Sequence, residues 1–368
     1  MESPNRAYLP AVDHLRAFAA LLIVFYHSIH LLYPRLAFHR AWQPTDWPLT
    51  QNPLLASLVE GHSAVALFLV ISGFILTYGS LGRGIRWTEF YWNRFLRIFP
   101  LYLFVLLTAA NAFPQKFRFP EFLSSAFQFG YLAGGLSYGE WTGVTWSIAV
   151  EAHLYLLFPA ILHYLNAGRL WPLLRMAVLV WLVRLAALGM GAGILDVTYW
   201  TVLGRVDEFL AGAVLAWLVH RHGLPDRLRL LFPVAAVGAV GALWGFHTTG
   251  GWPGHQDWRL LWPTVEAVVW TAFVAGYLAF APLLPGIADT ALRYLGKVSY
   301  SVYLAHVPVI TILAAREWIL AVPGFGPFGN ALLTAVLVVL PVTVAFSSLT
   351  WSTVEAPFLA MRRRYARA

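Results

Sequence analysis

Ten apolar stretches, most of them long enough to cross about 30 Å of hydrocarbon as a helix, occupy nearly all of this 368-residue chain. They lie near residues 11–32, 61–81, 98–113, 142–165, 170–190, 200–220, 230–247, 260–281, 294–314 and 329–353, the third being short. A backbone surrounded by lipid must satisfy its own hydrogen bonds, which helices do within one segment. The expected fold class is therefore all-α, a polytopic transmembrane helical bundle of about ten helices. Charged residues are 11% of the chain, against about 25% in soluble domains, so a soluble globular domain is excluded. The apolar piece 121–136 reads as a re-entrant or interfacial helix. No linker, repeat or separate soluble core is visible, and residues 1–368 read as one membrane domain with no cleaved signal peptide at its start.

An even number of spans puts both termini on one side, and basic residues decide which. With both termini cytoplasmic, sixteen Arg and Lys residues fall in cytoplasmic segments, and only Arg35, Arg40, Lys116, Arg118, Arg259 and Arg316 fall outside. The net charge of +8 is then a topology signal with attraction to anionic membrane lipid; no basic, aromatic-interleaved surface points to nucleic acid. Cysteine is absent, which excludes disulfides and thiolate chemistry.

Against this background the polar residues inside the stretches stand out. Arg16 and His27 share the first stretch. Eleven residues are roughly 16 Å along a helix and return nearly to the same azimuth, so the pair lines one face, Arg16 near a membrane surface and His27 well inside. Ionisable groups placed there mark a substrate, ion or proton site; the bland alternative is a snorkelling Arg and a hydrogen-bonded His. Asp13, one turn before Arg16, is spaced to pair with it. Glu151 lies in an apolar helix and needs a partner such as His27 or an Arg. Arg205 and Asp207, with Glu208 beside them, suggest a packed ion network, helix-to-helix glue being at least as good an account as catalysis. In the connection Arg86 to Tyr102, Arg94 and Arg97 point the same way on one turn and suit a phosphate or pyrophosphate, with Arg83 and Arg86 nearby; ordinary positive-inside charge is the alternative.

Taken in order, these residues resemble the membrane-bound acyltransferase family 3. The resemblance rests on Arg16 and His27 in VDHLRAFAALLIVFYH, Ser72, Gly73 and Phe74 in ALFLVISGFIL, and Arg94, Arg97 and Pro100 in NRFLRIFPLY. It continues with Trp146, Ser147 and Glu151 in TWSIAVEAHLYLLFP, Arg205 in GRVDEFLAGAVLA, Tyr300, Tyr303 and His306 in LGKVSYSVYLAH, and a closing VEAPF. His14 stands where many members have Gly, and Ala152 where a second Glu often follows. The resemblance implies transfer of an acyl group, usually acetyl, from cytosolic acyl-CoA to a hydroxyl of a saccharide or glycolipid acceptor, an exported polysaccharide or its lipid-linked precursor. Expected with it are a bacterial cytoplasmic membrane location and polysaccharide-assembly proteins as partners. Some members carry an extracytoplasmic esterase-like domain; here transfer is expected to be completed by the membrane domain or a partner.

The chemistry suits the residues. A sugar hydroxyl needs a base, and a neutral His is suited to that near pH 7. His27 is the expected base, oriented by Glu151. Ser72, Trp146, Arg16 or backbone amides near Ser72 and Gly73 are the candidate oxyanion donors. Arg94, Arg97 and Arg86 are the candidate CoA ligands, and Asp13, Arg205 and Tyr300 the further cavity residues; an acyl-His27 intermediate is an alternative route. His30 reads as a wet helix end and His306 as structural. Trp42, Trp47, Trp141 and Trp252 suit sugar stacking or an interfacial belt. No HExxH-like spacing suggests a metal. A proton-coupled transporter is the competing class, and a lipid- or polymer-assembly component without chemistry is the third.

Overall fold

The computed structural model describes residues 8–127 and 139–367. Among them there is no strand, only a single bridge between Ile85 and Ala366. The helices are α1 (Pro10–Phe38), α2 (Pro53–Val59), α3 (Ala64–Tyr78), α4 (Trp87–Ala112), α5 (Phe119–Ala126), α6 (Trp146–Asn166), α7 (Trp171–Gly189), α8 (Ile194–Thr198), α9 (Val202–His222), α10 (Leu231–Thr248), α11 (Trp262–Phe280), α12 (Gly286–Lys297), α13 (Ser299–Ala315) and α14 (Gly326–Ala360). Eight segments are long and apolar enough to cross a membrane, and α12 with α13 makes a ninth, bent by 70°. The remaining apolar stretch is α9, 21 residues long and carrying Arg205, Asp207 and Glu208 near its start. The chain is an integral membrane protein with an all-α polytopic bundle.

Three stretches differ from the sequence expectation. The third helix begins at Trp87, eleven residues before the apolar run, and so includes Arg94 and Arg97. Hydropathy hides that extension because the charges interrupt the run while helical hydrogen bonding continues through them. The stretch 294–314 is two helices, α12 leaving only Gly296 buried before the bend at Val298. Of the piece 121–136, the first six residues close α5, and 128–136 lie outside the described residues.

Helix α1 packs against α3, α12, α13 and α14. One of its faces, through Val12, Leu15, Ala19 and Ile23, joins the main core; another, through Ala20, Val24 and Leu32, joins a second core with α13 and α14. Helices α3 and α9 meet backbone to backbone. A Cβ at Gly73 would lie 2.1 Å from the Phe209 carbonyl oxygen, and one at Gly212 would lie 2.0 Å from that of Val70. Where lipid offers no hydrophobic drive for helices to associate, small residues provide this close packing.

Buried charges fix α7, α9 and α11 together. Arg184 of α7 donates to both Asp207 oxygens at 2.7 and 3.1 Å. Arg205 donates to Glu208 at 2.8 Å and to Glu266 of α11 at 2.9 Å. Two charges of opposite sign in one helix therefore pair mainly with other helices. Helix α14 contains two π-helical segments, Ala335–Val339 and Trp351–Glu355, and the second sets the azimuth of Glu355 toward α4.

Candidate functional site

A cavity of about 440 Å³ opens between α1, α4, α12 and the end of α14, lined by Asp13, Arg16, Arg94, Arg97, Arg293, Lys297 and Arg362 among others. Arg16, Ile75, Arg94 and Arg97 also line a narrower chamber of about 90 Å³ that reaches inward past Ser72, Ser147, Glu151, Tyr155, Tyr300 and Tyr303. Those shared residues form the neck where the two chambers adjoin. The register expected for Arg94 and Arg97 holds: both face it.

Arginines at the neck are held in different ways. Arg16 reaches Asp13 at 3.4 Å, and the Gly296 contact, whose Cβ would sit 2.0 Å from the Asp13 carbonyl oxygen, presses α12 against this turn. Arg97 donates to Glu355 at 2.9 Å and lies over the Tyr300 ring; Ser301 also donates to Glu355. Tyr300 in turn donates to the Ile98 carbonyl at 2.8 Å. Arg94 lies over the rings of Phe90 and Tyr155, and its Nε is buried without a hydrogen-bond partner. Just beyond α14, burial and then the guanidiniums of Arg97 and Arg94 push Arg362 down to about 10. The outer chamber carries an excess of positive charge that an anion would relieve.

In the inner chamber both Ser72 and Tyr155 donate to Glu151 Oε1 at 2.6 Å. The expected Glu151–His27 contact is not formed. No ion pair joins them; His27 lines neither chamber and sits instead against His306 of α13, Nδ1 to Nε2 at 2.9 Å. Because the Ser72 hydrogen points at Glu151, Ser72 is not a free oxyanion donor.

Two backbone carbonyls decide the tautomers. Ile23 O lies 3.2 Å from His27 Nδ1, and Val302 O lies 3.1 Å from His306 Nδ1. A carbonyl oxygen only accepts, so each Nδ1 carries hydrogen. In the neutral pair His27 Nδ1–H donates to both Ile23 O and His306 Nε2, leaving the His27 Nε2 lone pair unused. That is the geometry of an oriented base. Between His306 and the inner chamber stands Tyr303, its ring 5.8 Å from that of His306 and 5.9 Å from that of Phe68. Its hydroxyl donates to Val144 O and contacts Ser147 Oγ.

Other expected site residues lie elsewhere. Trp146 packs on Tyr199 and Trp200, outside both chambers. Arg205 is buried in its carboxylate network, over the Tyr199 ring. Arg86 precedes α4, pairs with Glu89 at 3.3 Å and donates to the Arg364 carbonyl, away from the cavity. His30 is buried rather than wet, its Nδ1 donating to Tyr26 O at 2.8 Å and its ring against Trp47.

A second polar centre was not apparent in the sequence. Glu60, between α2 and α3, is fully buried and accepts from His247 (2.7 Å), Trp47 (3.0 Å), His62 (3.2 Å) and the Trp252 backbone (3.2 Å). Burial alone would raise its carboxyl; donation by His247, His62 and Trp47 outweighs that and brings it down to about 2. Trp47 and Trp252 stack on each other at 6.0 Å, using ring faces considered above for sugar. Only an acidic residue at the edge of an apolar run hinted at this centre.

Residues 9–352 match the acyltransferase domain family. Among curated relatives, the chain is 23% identical over 343 residues to the peptidoglycan O-acetyltransferase OatA of Listeria monocytogenes serovar 1/2a, covering 84% of this chain and 50% of that protein. It is 25% identical over 352 residues to the O-acetyltransferase OatA of Staphylococcus aureus (strain NCTC 8325), covering 85% and 52%. The chain thus spans about half the length of these relatives. No solved structure matches it.

Proposed function

The chain belongs to the acyltransferase domain family, and from that premise we propose that it is a membrane O-acetyltransferase moving an acetyl group from cytosolic acyl-CoA to a hydroxyl of a cell-wall or other exported polysaccharide, or of its lipid-linked precursor. The observation that carries this reading is the two-chambered cavity, whose neck of three guanidiniums leads from a cationic mouth toward the Glu151 carboxylate. The name of the Listeria relative, a peptidoglycan O-acetyltransferase, supplies the acceptor class. In this reading the mouth opens to the cytoplasm of a bacterial cell, with the acceptor reaching His27 from the other side or from the lipid.

The site suits the donor. Arg94 has a buried, unpartnered N–H and the mouth holds excess positive charge, which a phosphorylated donor would satisfy. Arg94 and Arg97 hold its phosphates with planar multi-donor forks. Acyl-CoA supplies an activated acyl group as a thioester. Glu151, fixed by Ser72 and Tyr155, presents an acceptor for polar N–H groups entering the inner chamber. His27 Nε2 takes the proton from the acceptor hydroxyl as its oxygen bonds to the acyl carbon, and returns a proton to the departing sulfur as the C–S bond breaks. During that interval the positive charge is stabilised by the His27 Nδ1–H donation to His306, as a third group stabilises the imidazolium in other nucleophile–base systems.

Purified protein in detergent, given acetyl-CoA and a peptidoglycan fragment or other saccharide, is expected to release free CoA and form an acetyl ester. A His27→Ala variant that remains monodisperse should lose about 10² or more in turnover. Near-normal transfer by that variant would remove His27 from the chemistry. A wild-type protein that moves a solute or protons without any CoA release would favour the transporter alternative.

A further inference from the structure

The most informative unused feature is a clasp between the segment after α14 and the start of α4. Asn93, fully buried, donates from Nδ2 to the Arg363 carbonyl at 2.7 Å and accepts from the Arg363 backbone N–H at 2.9 Å. Arg86 N donates to Tyr365 O, and Arg367 N to Gly84 O, both at 2.9 Å. Tyr365 is buried against Phe90. Asn93 immediately precedes Arg94, and Arg363 immediately follows Arg362, so the clasp binds the two guanidinium-bearing positions to each other through their neighbours. Arg362 Nε donates to the Leu359 carbonyl at 2.9 Å, leaving its terminal N–H groups for the cavity it lines.

Charge pairing shows what the cavity lacks. Arg16 has Asp13, Arg97 has Glu355 and Arg293 has Asp289. Among the described residues Arg94, Lys297 and Arg362 have no carboxylate within 4.0 Å; Lys297 rests only on the Trp351 ring, 3.7 Å from its centroid. Three cations without counter-charge, one locked in place by a backbone clasp, make a built site for a polyanion. Their order along the cavity also matters. Arg94 and Arg97 line both chambers and stand at the neck, whereas Lys297 and Arg362 line only the outer one. In coenzyme A the 3′-phosphate lies at the nucleotide end, beyond the diphosphate as seen from the thioester.

We propose that the Asn93 clasp delivers Arg362 as a specificity-determining donor ligand, and that Arg362 with Lys297 binds the 3′-phosphate of CoA while Arg94 and Arg97 bind the diphosphate. This rests on the donor assignment above. It makes the protein selective for CoA over 3′-dephospho-CoA, and it gives the post-α14 segment a role in substrate choice.

Equilibrium binding by calorimetry, with full-length protein in neutral detergent, tests this without turnover. Wild type is expected to bind CoA about tenfold or more tighter than dephospho-CoA, the worth of one charge-assisted phosphate contact. Arg362→Gln should weaken CoA about tenfold and leave dephospho-CoA within about twofold, so that selectivity disappears; Arg362→Lys should recover part of it. Asn93→Ala, which removes the two Asn93–Arg363 hydrogen bonds of the clasp and leaves all cations, should move in the same direction as Arg362→Gln. Arg175→Ala, on the flank of α7, controls for net charge and should change nothing. Undiminished selectivity in a folded Arg362→Gln protein would overturn the proposal while leaving the donor assignment intact. Absence of CoA binding by wild type would overturn both. Arg362-dependent retention of phosphatidylglycerol, without Arg362-dependent CoA binding, would assign the side chain to a lipid headgroup and also overturn it.

Discussion

His27 and His306, 279 residues apart in the chain, face each other at 2.9 Å with their proton positions set by two backbone carbonyls. A His306→Ala variant removes one of the two acceptors of the His27 Nδ1–H and leaves only the longer Ile23 contact to hold that tautomer, so the Nε2–H form should gain population at the expense of the lone pair that would activate a hydroxyl. Nitrogen-15 spectra of labelled protein should show His27 hydrogen on Nδ1 in wild type and a mixture in the variant. Turnover should fall about 10- to 100-fold, the range for losing an orienting partner. His306→Gln, which can place an amide oxygen near the same point, should recover part of both signals. Unchanged His27 spectra in His306→Ala would remove the orienting role.

The helical period made one half of this site legible and concealed the other. Arg16 and His27 could be placed on one face, and Arg94 beside Arg97, because the faces of a single helix follow from spacing alone. The partners could not be placed. His306 and Glu355 reach His27 and Arg97 from helices at the far end of the sequence, and no local pattern encodes which face of α13 or α14 turns inward. Glu355 lies in a π-helical segment, whose extra residue per turn shifts the azimuth from any 3.6-residue projection. Pairing in α9 was obscured for a related reason: Asp207 has its Arg on α7 and Arg205 its second Glu on α11. The number of apolar runs was readable because lipid imposes it on each segment independently. The bend at Val298 was not, since tertiary packing against α1 holds α12.

Tyr303 separates the inner chamber from His306. Tyr303→Trp should obstruct that boundary, lowering turnover by about 10² through misplacement of the reacting groups while CoA affinity stays within about twofold. The measurement is the split between equilibrium CoA binding and steady-state transfer. Equal loss of both would mean that Tyr303 supports the donor pocket instead of dividing it from His27.

Glu60 gives a pH-dependent stability. Its folded carboxyl sits near 2 against about 4.3 for an unperturbed Glu, so the folded state binds fewer protons than the unfolded one across that interval. The stabilisation is fully present above the unfolded value and is lost as pH falls through the folded one, with a ceiling on the order of 3 kcal/mol. Thermal melting of wild type and Glu60→Gln should show a gap that narrows as pH falls from about 4.3 to 2. A gap that does not change across the acid range would show that the four donors around Glu60 contribute nothing to its ionisation.

Gly73 belongs to the Ser72–Gly73–Phe74 run, and its own contribution is separable from that of Ser72. The side chain it lacks would sit 2.1 Å from the Phe209 carbonyl oxygen and 3.1 Å from the Ala213 nitrogen, both backbone atoms that no rotamer change can move aside. Gly212 repeats the constraint from α9 against Val70. Ala at either position must push the helices apart, and since α3 carries Ser72 and α9 carries the Asp207 and Arg205 pairs, the displacement would reach both. Gly73→Ala and Gly212→Ala should each cost roughly 3 kcal/mol, the upper part of the overpacking range, seen as a lower melting temperature in detergent. The double variant should cost less than the sum, because one separation relieves both clashes. Full additivity, or wild-type melting in either single variant, would mean that the α3–α9 contact is looser than the backbone positions require.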